Sequence, residues 1–127
     1  MTTPILGIDV SKDKLDCCLL INERSHSKTI DNNSKGFQHI IAWLNEHQVQ
    51  RLHACMESTG SYGRSAATAL FEKGFTVSII NPRLICNYSK AKGLRNKTDK
   101  VDAALIAEYC NIYKPAAWTP PSKTADS

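Results

Sequence analysis

The fold of this chain is decided by its opening stretch, Ile5-Leu6-Gly7-Ile8-Asp9-Val10. It is a short apolar run, interrupted by a glycine and an aspartate, and such a run predicts a β-strand. The residues Ser11-Lys12-Asp13-Lys14 supply turn chemistry, and Leu15–Ile21 is again strand-like. The opening of the chain therefore predicts a β-hairpin.

A third strand and a first helix are predicted after the hairpin. His26–Ile30 alternates weakly between polar and apolar residues, which favours a short strand. Apolar residues then recur with the i, i+3, i+4, i+7 spacing of an amphipathic helix, with Ser34 as the predicted N-cap and an end near His47. The residues on this apolar face are Phe37, Ile40, Ile41 and Leu44.

Two units of strand and helix are predicted next. Leu52–Met56 is apolar enough for a fourth strand, and a helix over residues 61–73 follows it and stops at Gly74. Phe75–Ile80 is apolar and β-branched, as in a buried strand, and Pro82 opens the next helix.

The end of the chain predicts a basic loop, a last helix and a linker. The loop covers residues 90–97, and Thr98 is placed to cap the helix that follows. After Tyr113, several prolines with Ser, Thr and Ala predict a linker over residues 114–127. The residues predicted to share the apolar face of the last helix are Val101, Ala104, Leu105 and Ile112.

This order of elements, β-β-β-α-β-α-β-α-α, predicts an α/β fold. Three consecutive strands form an antiparallel meander, and the alternating units after them add parallel strands. The result is a mixed five-stranded sheet flanked by helices, the ribonuclease-H-like arrangement. We expect residues 1–113 to form this domain.

The composition excludes several classes of protein. The 127 residues are 42% hydrophobic and 22% charged, which fits one globular domain. The apolar runs are far shorter than the roughly 20 residues that cross a bilayer, and the first residues lack the features of a secretory signal. We therefore expect a cytoplasmic protein without a membrane partner.

The cysteines and histidines lack the spacing of a disulfide framework or a zinc site. The cysteines are odd in number and mostly lie in apolar segments, so we expect them to pack in the core as free thiols. They are Cys17, Cys18, Cys55, Cys86 and Cys110. The histidines, expected at the surface or at interfaces, are His26, His39, His47 and His53.

Positive charge is concentrated in one part of the chain. Six basic residues and one acid lie between positions 83 and 100. Such a stripe suits a phosphate backbone or another polyanion, although a solvated helix and loop would have the same composition. The basic residues are Arg83, Lys90, Lys92, Arg95, Lys97 and Lys100.

Two carboxylates follow apolar runs, where a charge needs a physical reason. Asp9 lies near the end of the first predicted strand, and Glu57 directly follows the fourth. Each could face a cleft in which a cation compensates its charge. Alternatively, Asp9 caps the turn that follows it, and Glu57 caps the next helix.

A second pair of acids lies at the start of the last predicted helix. Asp99 and Asp102 are three residues apart and project from nearly the same helical face. They could complement the helix dipole, or join the two strand-end acids in a cage for Mg²⁺, which takes oxygen ligands. Two such ions can activate the attacking oxygen and stabilise the leaving oxygen in phosphodiester transfer.

Four motifs resemble the N-terminal DEDD domain of the IS one-ten (Piv/MooV) transposases. They are Gly7-Ile8-Asp9-Val10-Ser11-Lys12, Met56-Glu57-Ser58-Thr59-Gly60-Ser61-Tyr62, Asn81-Pro82 and Lys97-Thr98-Asp99-Lys100-Val101-Asp102-Ala103. The motifs occur in the family's order over nearly the whole chain. The resemblance implies a fold similar to the Holliday-junction resolvase RuvC and a catalytic, metal-binding acidic tetrad. That tetrad is Asp9, Glu57, Asp99 and Asp102.

The resemblance also implies a function and partners. The function is DNA cleavage and strand transfer that mobilises an insertion sequence, with Mg²⁺ as the cofactor and Mn²⁺ as its substitute. The implied partners are DNA, a structured non-coding RNA that pairs with donor and target DNA, and further copies of the full-length protein. The linker is expected to lead to a C-terminal domain with a nucleophilic serine, which this chain lacks.

Several basic and aromatic residues are predicted to contact nucleic acid. Cationic side chains would contact phosphates, and an aromatic ring near the acids could stack on a base. Exposed lysines also occur merely as solvating groups, and the ring could instead pack on the sheet. The candidates are Lys12, Tyr62, Arg64, Lys90, Lys92, Arg95, Lys97 and Lys100.

Two other functions fit part of the pattern. The chain could be a non-catalytic nucleic-acid-binding or assembly module of the same recombinase, with acids that are only structural. A sugar-kinase or actin-like ATPase also opens with a Gly-Ile-Asp hairpin, but it needs a second lobe of the same kind, which these residues do not supply.

Overall fold

The computed structural model describes residues 3–57, 62–91 and 103–120, and the order of its elements is the predicted one. The strands are β1 (Ile5–Val10), β2 (Lys14–Ile21), β3 (Arg24–Asp31), β4 (His53–Glu57) and β5 (Thr76–Ile80). The helices are α1 (Ser34–Glu46), α2 (Arg64–Glu72), α3 (Pro82–Ala91) and α4 (Ala103–Tyr113). Within these ranges, no helix is long and apolar enough to span a membrane.

Strand β1 lies at the centre of a sheet with the spatial order β3-β2-β1-β4-β5. It pairs antiparallel with β2 and parallel with β4, which in turn pairs parallel with β5. The predicted mixed five-stranded sheet is therefore confirmed. Ile8 is in register with Met56, so the next position on each strand brings Asp9 beside Glu57.

Helices cover both faces of this sheet. Leu6 and Ile8 point into the core beneath α1 and α2, whereas Ile5 belongs to the core beneath α3 and α4. Because successive side chains of a strand point to opposite faces, the odd-numbered positions of β1 and β4 face α4. Asp9 and Glu57 therefore share the face that α4 covers.

Helix α4 packs unusually close to β1. A Cβ atom placed on Gly7 would lie 2.3 Å from the backbone oxygen of Ala103 and 2.5 Å from the backbone nitrogen of Ala107. Both distances are far inside van der Waals contact, and both partners are backbone atoms that cannot rotate away. Glycine at this position therefore sets the distance between helix and strand.

The prediction of which residues form the apolar face of α4 is wrong. Ala104 is exposed and Ile112 is 54% exposed, whereas Leu105 is buried; Val101 lies outside the described residues. The helix is apolar on nearly every side, so the sequence carried too few polar residues to mark the outer face. The stripe that packs on the sheet has the i, i+3, i+4, i+7 spacing and consists of Ala103, Ile106, Ala107 and Cys110.

Three helix boundaries differ from the prediction, and one of them is the start of α2, which was predicted at residue 61 and lies at Arg64. The N-cap of α1 is Asn33, whose side chain accepts a hydrogen bond of 2.8 Å from the backbone N–H of Gly36, and Ser34 is already helical. Asn and Ser are nearly equal as N-caps, so composition alone did not separate the neighbours. Lys90, predicted to start a loop, belongs to α3, and Thr98 lies outside the described residues.

Residues 114–120 contain neither helix nor strand, but they pack along β5. The backbone N–H of Trp118 donates to the carbonyl of Val77 at 2.6 Å, and its ring meets that of Phe71 edge-on. The Ser78 hydroxyl lies within donating distance of the carbonyls of Pro115 and Ala116. This segment therefore covers part of an edge strand whose backbone groups would otherwise face solvent.

Candidate active site

Asp9 and Glu57 lie side by side at the carboxyl ends of β1 and β4. The residues before them are paired in parallel register, and neighbouring strands are about 4.8 Å apart. Both carboxylates are half-buried on the α4 side of the sheet. The structure therefore brings two of the four predicted acids together.

The pKa of the Glu57 carboxyl reflects this crowding. Burial raises the pKa above its ordinary value, and the negative charge of Asp9 raises it further. A nearby cation would favour the ionised form of such a group. The pair therefore fits a divalent ion such as Mg²⁺, whose usual ligands are carboxylate oxygens and water.

The first turn of α4 lies over the same end of the sheet. Its first residue, Ala103, packs on Gly7, two positions before Asp9 on the same face of β1. Asp99 and Asp102 lie outside the described residues, and the chain continues from Asp102 directly into Ala103. The described residues thus supply half of the predicted tetrad.

A family model described as Transposase, for DEDD transposases of the IS one-ten type, matches residues 6–126 of this chain. The chain belongs to this transposase family. The pilin gene-inverting proteins of Moraxella bovis and Moraxella lacunata are each 36% identical to it over 124 residues. The match covers 96% of this chain but only 38% of either relative.

Solved structures confirm the fold of this transposase-family domain. RuvC of T. thermophilus in complex with a Holliday junction substrate superposes with a TM-score of 0.60 at 13% identity, over 89% of this chain and 95% of that one. A second RuvC structure, from Thermus thermophilus, gives a TM-score of 0.52 at 14% identity, over 98% and 88%. The predicted RuvC-like, ribonuclease-H-like fold is therefore confirmed.

Asn32 organises the loops at the carboxyl edge of this transposase domain, although the sequence indicated only a turn there. Its side-chain amide donates to the backbone carbonyl of Ser11 at 2.8 Å and to that of Tyr62 at 2.9 Å. These bonds join the turn after β1 to the segment before α2. An asparagine in a turn is too common a signal to reveal this bridge from sequence.

The predicted nucleic-acid contacts fall into three groups. Lys12 and Tyr62 are exposed on the segments that follow β1 and precede α2, and Arg64 is exposed as the first residue of α2, at the edge that carries Asp9. Lys90 is exposed near the end of α3, two residues after Tyr88, whose ring contacts those of Tyr109 and Tyr113. The remaining candidates lie outside the described residues and are Lys92, Arg95, Lys97 and Lys100.

A second reactive group lies toward the amino end of β4, and here the prediction for two cysteines was wrong. Cys55 and Cys110, expected as free thiols, form a disulfide, and His53, expected at the surface or an interface, is half-buried beside them. The two cysteines are 55 residues apart in sequence, so no local spacing could reveal them. They meet because Cys110 lies on the face of α4 that packs on β4.

The other buried cysteines agree with the prediction. Cys17 and Cys18 are buried and form no disulfide. Burial, with the negative charge of Asp16 as a smaller cause, raises the pKa of the Cys17 thiol to about 12. A thiol with such a pKa is almost entirely protonated at neutral pH and behaves as an apolar packing group.

Proposed function

We propose that this domain carries out metal-dependent DNA cleavage and strand transfer for a transposase that mobilises an insertion sequence. The observation that carries the proposal is the half-buried carboxylate pair of Asp9 and Glu57 at adjacent strand ends. A structural cap would not need two acids in adjacent register, and a cation beside the pair would favour the ionised form of Glu57, whose pKa burial and the charge of Asp9 both raise.

The metal ligands we propose are the whole acidic tetrad. Asp9 and Glu57 would hold Mg²⁺, or Mn²⁺ in its place, from the strand ends. Asp99 and Asp102 would complete the site from the segment that leads into α4. Bound ions of this kind activate the attacking oxygen and stabilise the leaving oxygen of a phosphodiester.

The protein's own groups would position the nucleic acid. The exposed Lys12 and Arg64 carry positive charge at the edge that bears the acids, and Tyr62 offers an aromatic ring there for stacking. Asn32 would hold the two loops that carry these side chains in a fixed relation. We assign the further phosphate contacts to Lys90, Lys92, Arg95, Lys97 and Lys100.

We further propose how the domain fits into the whole transposase. Residues 1–113 would be the catalytic domain, and residues 114–127 would lead toward a C-terminal domain that contributes a nucleophilic serine. The chain spans less than half the length of its curated relatives, which is compatible with such a division. DNA, a guide RNA, and further copies of the full-length protein are the proposed partners, in the cytoplasm.

A calorimetric titration of Mn²⁺ and Mg²⁺ into the oxidised chain tests the metal site. We expect saturable binding in the wild-type chain and its loss in Asp9→Asn. The matched control is Asp16→Asn, because Asp16 is paired with Asp9 across β1 and β2 while its carboxylate accepts a 2.8 Å hydrogen bond from Thr29.

The outcomes separate the catalytic from the non-catalytic function. Equal binding in wild type and Asp9→Asn, with and without duplex DNA, would contradict the proposal and favour a binding module with structural acids. Equal loss in the Asp9 and Asp16 variants would show that general negative charge, rather than the strand-end pair, attracts the ion.

A further inference from the structure

Three side chains of a different chemistry lie on the same face of the sheet as the carboxylates, toward the amino end of β4. An imidazole nitrogen of His53 and the sulfur atoms of Cys55 and Cys110 all lie within 4.8 Å of one another. Both cysteines are fully buried, and the histidine is half-buried. Two sulfurs and one imidazole form a donor set that suits zinc.

The fold brings these donors together from two elements. His53 and Cys55 are two residues apart on β4, so their side chains project from the same face. Cys110 lies on the stripe of α4 that packs on this face. The Cα atoms of the two cysteines are 6.3 Å apart.

That spacing also suits a shared metal ion. With Zn–S bonds of about 2.3 Å in a tetrahedral site, the two sulfurs lie roughly 3.8 Å apart. Disulfides usually join Cα atoms separated by about 4.4–6.8 Å, and 6.3 Å lies in the upper part of this range. Small side-chain rotations can therefore open the gap that an ion needs.

The surroundings orient the imidazole for ligation. His53 Nε2 lies 2.7 Å from the Ser78 hydroxyl, whose single proton is directed at the carbonyls of Pro115 and Ala116. When the Ser78 hydroxyl donates to one of these carbonyls, it accepts from the Nε2–H of His53, and a neutral imidazole then carries its lone pair on Nδ1. Metal-bound histidines are usually held in this way by a partner on the other ring nitrogen.

A cavity of about 650 Å³ reaches His53 from solvent. It is lined by Ile5, Thr76 and Asn111, among others, and so opens at the amino end of the parallel strands. It brings solvent as far as His53, while the two sulfur atoms are fully buried, so an ion would enter from the His53 side.

We propose that the dithiol form of this chain binds one Zn²⁺ ion through Cys55, Cys110 and His53, on the same face of the sheet as Asp9 and Glu57 and toward the amino end of β4. The disulfide and the metal-bound form exclude each other. A phosphine reductant gives two electrons to the disulfide and leaves as its oxide, while water supplies the oxygen and both thiol protons. Zn²⁺ then displaces these two protons to solvent.

Cobalt substitution tests the site, because Co²⁺ bound to thiolates shows a sulfur-to-cobalt charge-transfer band that carboxylate ligands do not produce. We expect the phosphine-reduced wild-type chain to develop this band up to one equivalent of Co²⁺ and to lose it when Zn²⁺ is added. The oxidised chain should show no band. This comparison needs no substitution, so a folding defect cannot mimic it.

Three variants locate the ligands. Cys110→Ala and Cys55→Ala should lose the band, and His53→Gln should bind Co²⁺ about tenfold more weakly or worse. The matched control is Cys86→Ala, which removes a half-buried free thiol on α3 and should leave the band unchanged. Far-UV circular dichroism verifies that each variant is folded.

Two results would overturn the proposal. The first is a reduced, folded wild-type chain without the charge-transfer band, which would mean that the cysteines serve only as a disulfide or as packing groups. The second is a band that survives in folded Cys110→Ala or disappears in Cys86→Ala, since the thiolates would then belong to another site.

Discussion

The two ends of strand β4 differ in the donors they present on the same face. Glu57, at the carboxyl end, lies beside Asp9, and the two offer only oxygen. His53 and Cys55, nearer the amino end, lie beside Cys110 and offer nitrogen and sulfur. Oxygen ligands favour Mg²⁺, and sulfur with imidazole favours Zn²⁺. The two proposed ions would therefore not compete for the same donors on this strand.

Helix α4 connects the two ends. Its first residue packs on Gly7 near the carboxylates, and Cys110, near its other end, is bonded to Cys55. The helix runs antiparallel to β1 and β4, so its first turn lies near the carboxylate end and Cys110 lies toward the amino ends of these strands. Whatever moves α4 should therefore affect both ends, whereas a local substitution should affect only one.

The largest effect is expected from a substitution that removes only the proposed Mg²⁺ site at Asp9 and Glu57. In the full-length transposase, Asp9→Asn should lower DNA cleavage at least about 100-fold, because even outer-shell partners of a metal contribute 10–100-fold. Cleavage of labelled element-end DNA in Mg²⁺ measures it, with Asp16→Asn as the control. The Co²⁺–thiolate band of the variant should remain, and its loss would show that the two ends are not independent.

Gly7→Ala should disturb both ends at once. The added methyl group would press on backbone atoms of Ala103 and Ala107, so α4 must shift, and we expect a loss of about 1–3 kcal/mol in the free energy of unfolding. Urea denaturation measures this loss. Titrations with Mn²⁺ and Co²⁺ measure the metal affinity of the carboxylate pair and of the cysteine–histidine group.

Gly74→Ala is the matched control for Gly7→Ala. Gly74 has φ of +91° and nothing within 4 Å of an added Cβ, so its substitution strains only the local backbone, by about 1 kcal/mol. Its metal binding should be that of the wild type. Unchanged binding at both sites in folded Gly7→Ala would contradict the role assigned to α4.

Asn32→Ala should affect only the loops at the carboxyl ends of the parallel strands, and not the group at Cys55. It removes the donor of two hydrogen bonds, to the carbonyls of Ser11 and Tyr62, and should cost about 1–2 kcal/mol of unfolding free energy. DNA affinity, measured by fluorescence anisotropy, should fall with it, while the Co²⁺–thiolate band stays. Asn45→Ala, at an exposed position of α1, is the control, and an equal fall in DNA affinity there would refute the role of Asn32.

The smallest expected effect is a pH dependence of stability from Glu57. Its pKa is raised in the folded state by burial and by Asp9, so ionising it opposes folding. This loss of unfolding free energy is absent below the pKa of Glu in the unfolded chain, about 4.3. It develops as the pH rises through the higher pKa of Glu57 in the folded chain. Since the group is partly exposed, Glu57→Gln should stabilise the metal-free chain at pH 7 by only a few tenths of a kcal/mol.

Urea denaturation at pH 4 and pH 7 measures this difference, with the exposed Glu72→Gln on α2 as the control. The gain of Glu57→Gln should vanish at pH 4 and should reverse when Mn²⁺ is present. A gain that is equal at both pH values would show that the carboxylate charge is not its source.

The sequence was informative where local pattern and chain order decide the structure. The Ile5–Val10 run, the turn after it and the helical spacing from Phe37 to Leu44 predicted the sheet and its helices. The strand-end positions of Asp9 and Glu57 followed, because the parallel register of β1 and β4 makes their ends meet.

The sequence failed where the outcome depends on contacts between distant segments. Nothing near Cys55 or Cys110 indicates that α4 places one sulfur on the other, and the nearly all-apolar α4 did not show which face it buries. The bridge through Asn32 depends in the same way on two loops that only the folded sheet brings together. These features require the tertiary structure.

The position of β1 in the sheet also has a consequence for the order of folding. Its pairing with β2 closes only a short turn, whereas its contacts with β4 and α4 close long loops. Closing a long loop costs more chain entropy than closing a short one, so these contacts form more slowly. We expect the β1–β2 hairpin to form early and α4 to dock late. Pulsed hydrogen exchange during refolding would then protect the β1 and β2 amides first, and both proposed metal sites would form only in the final step.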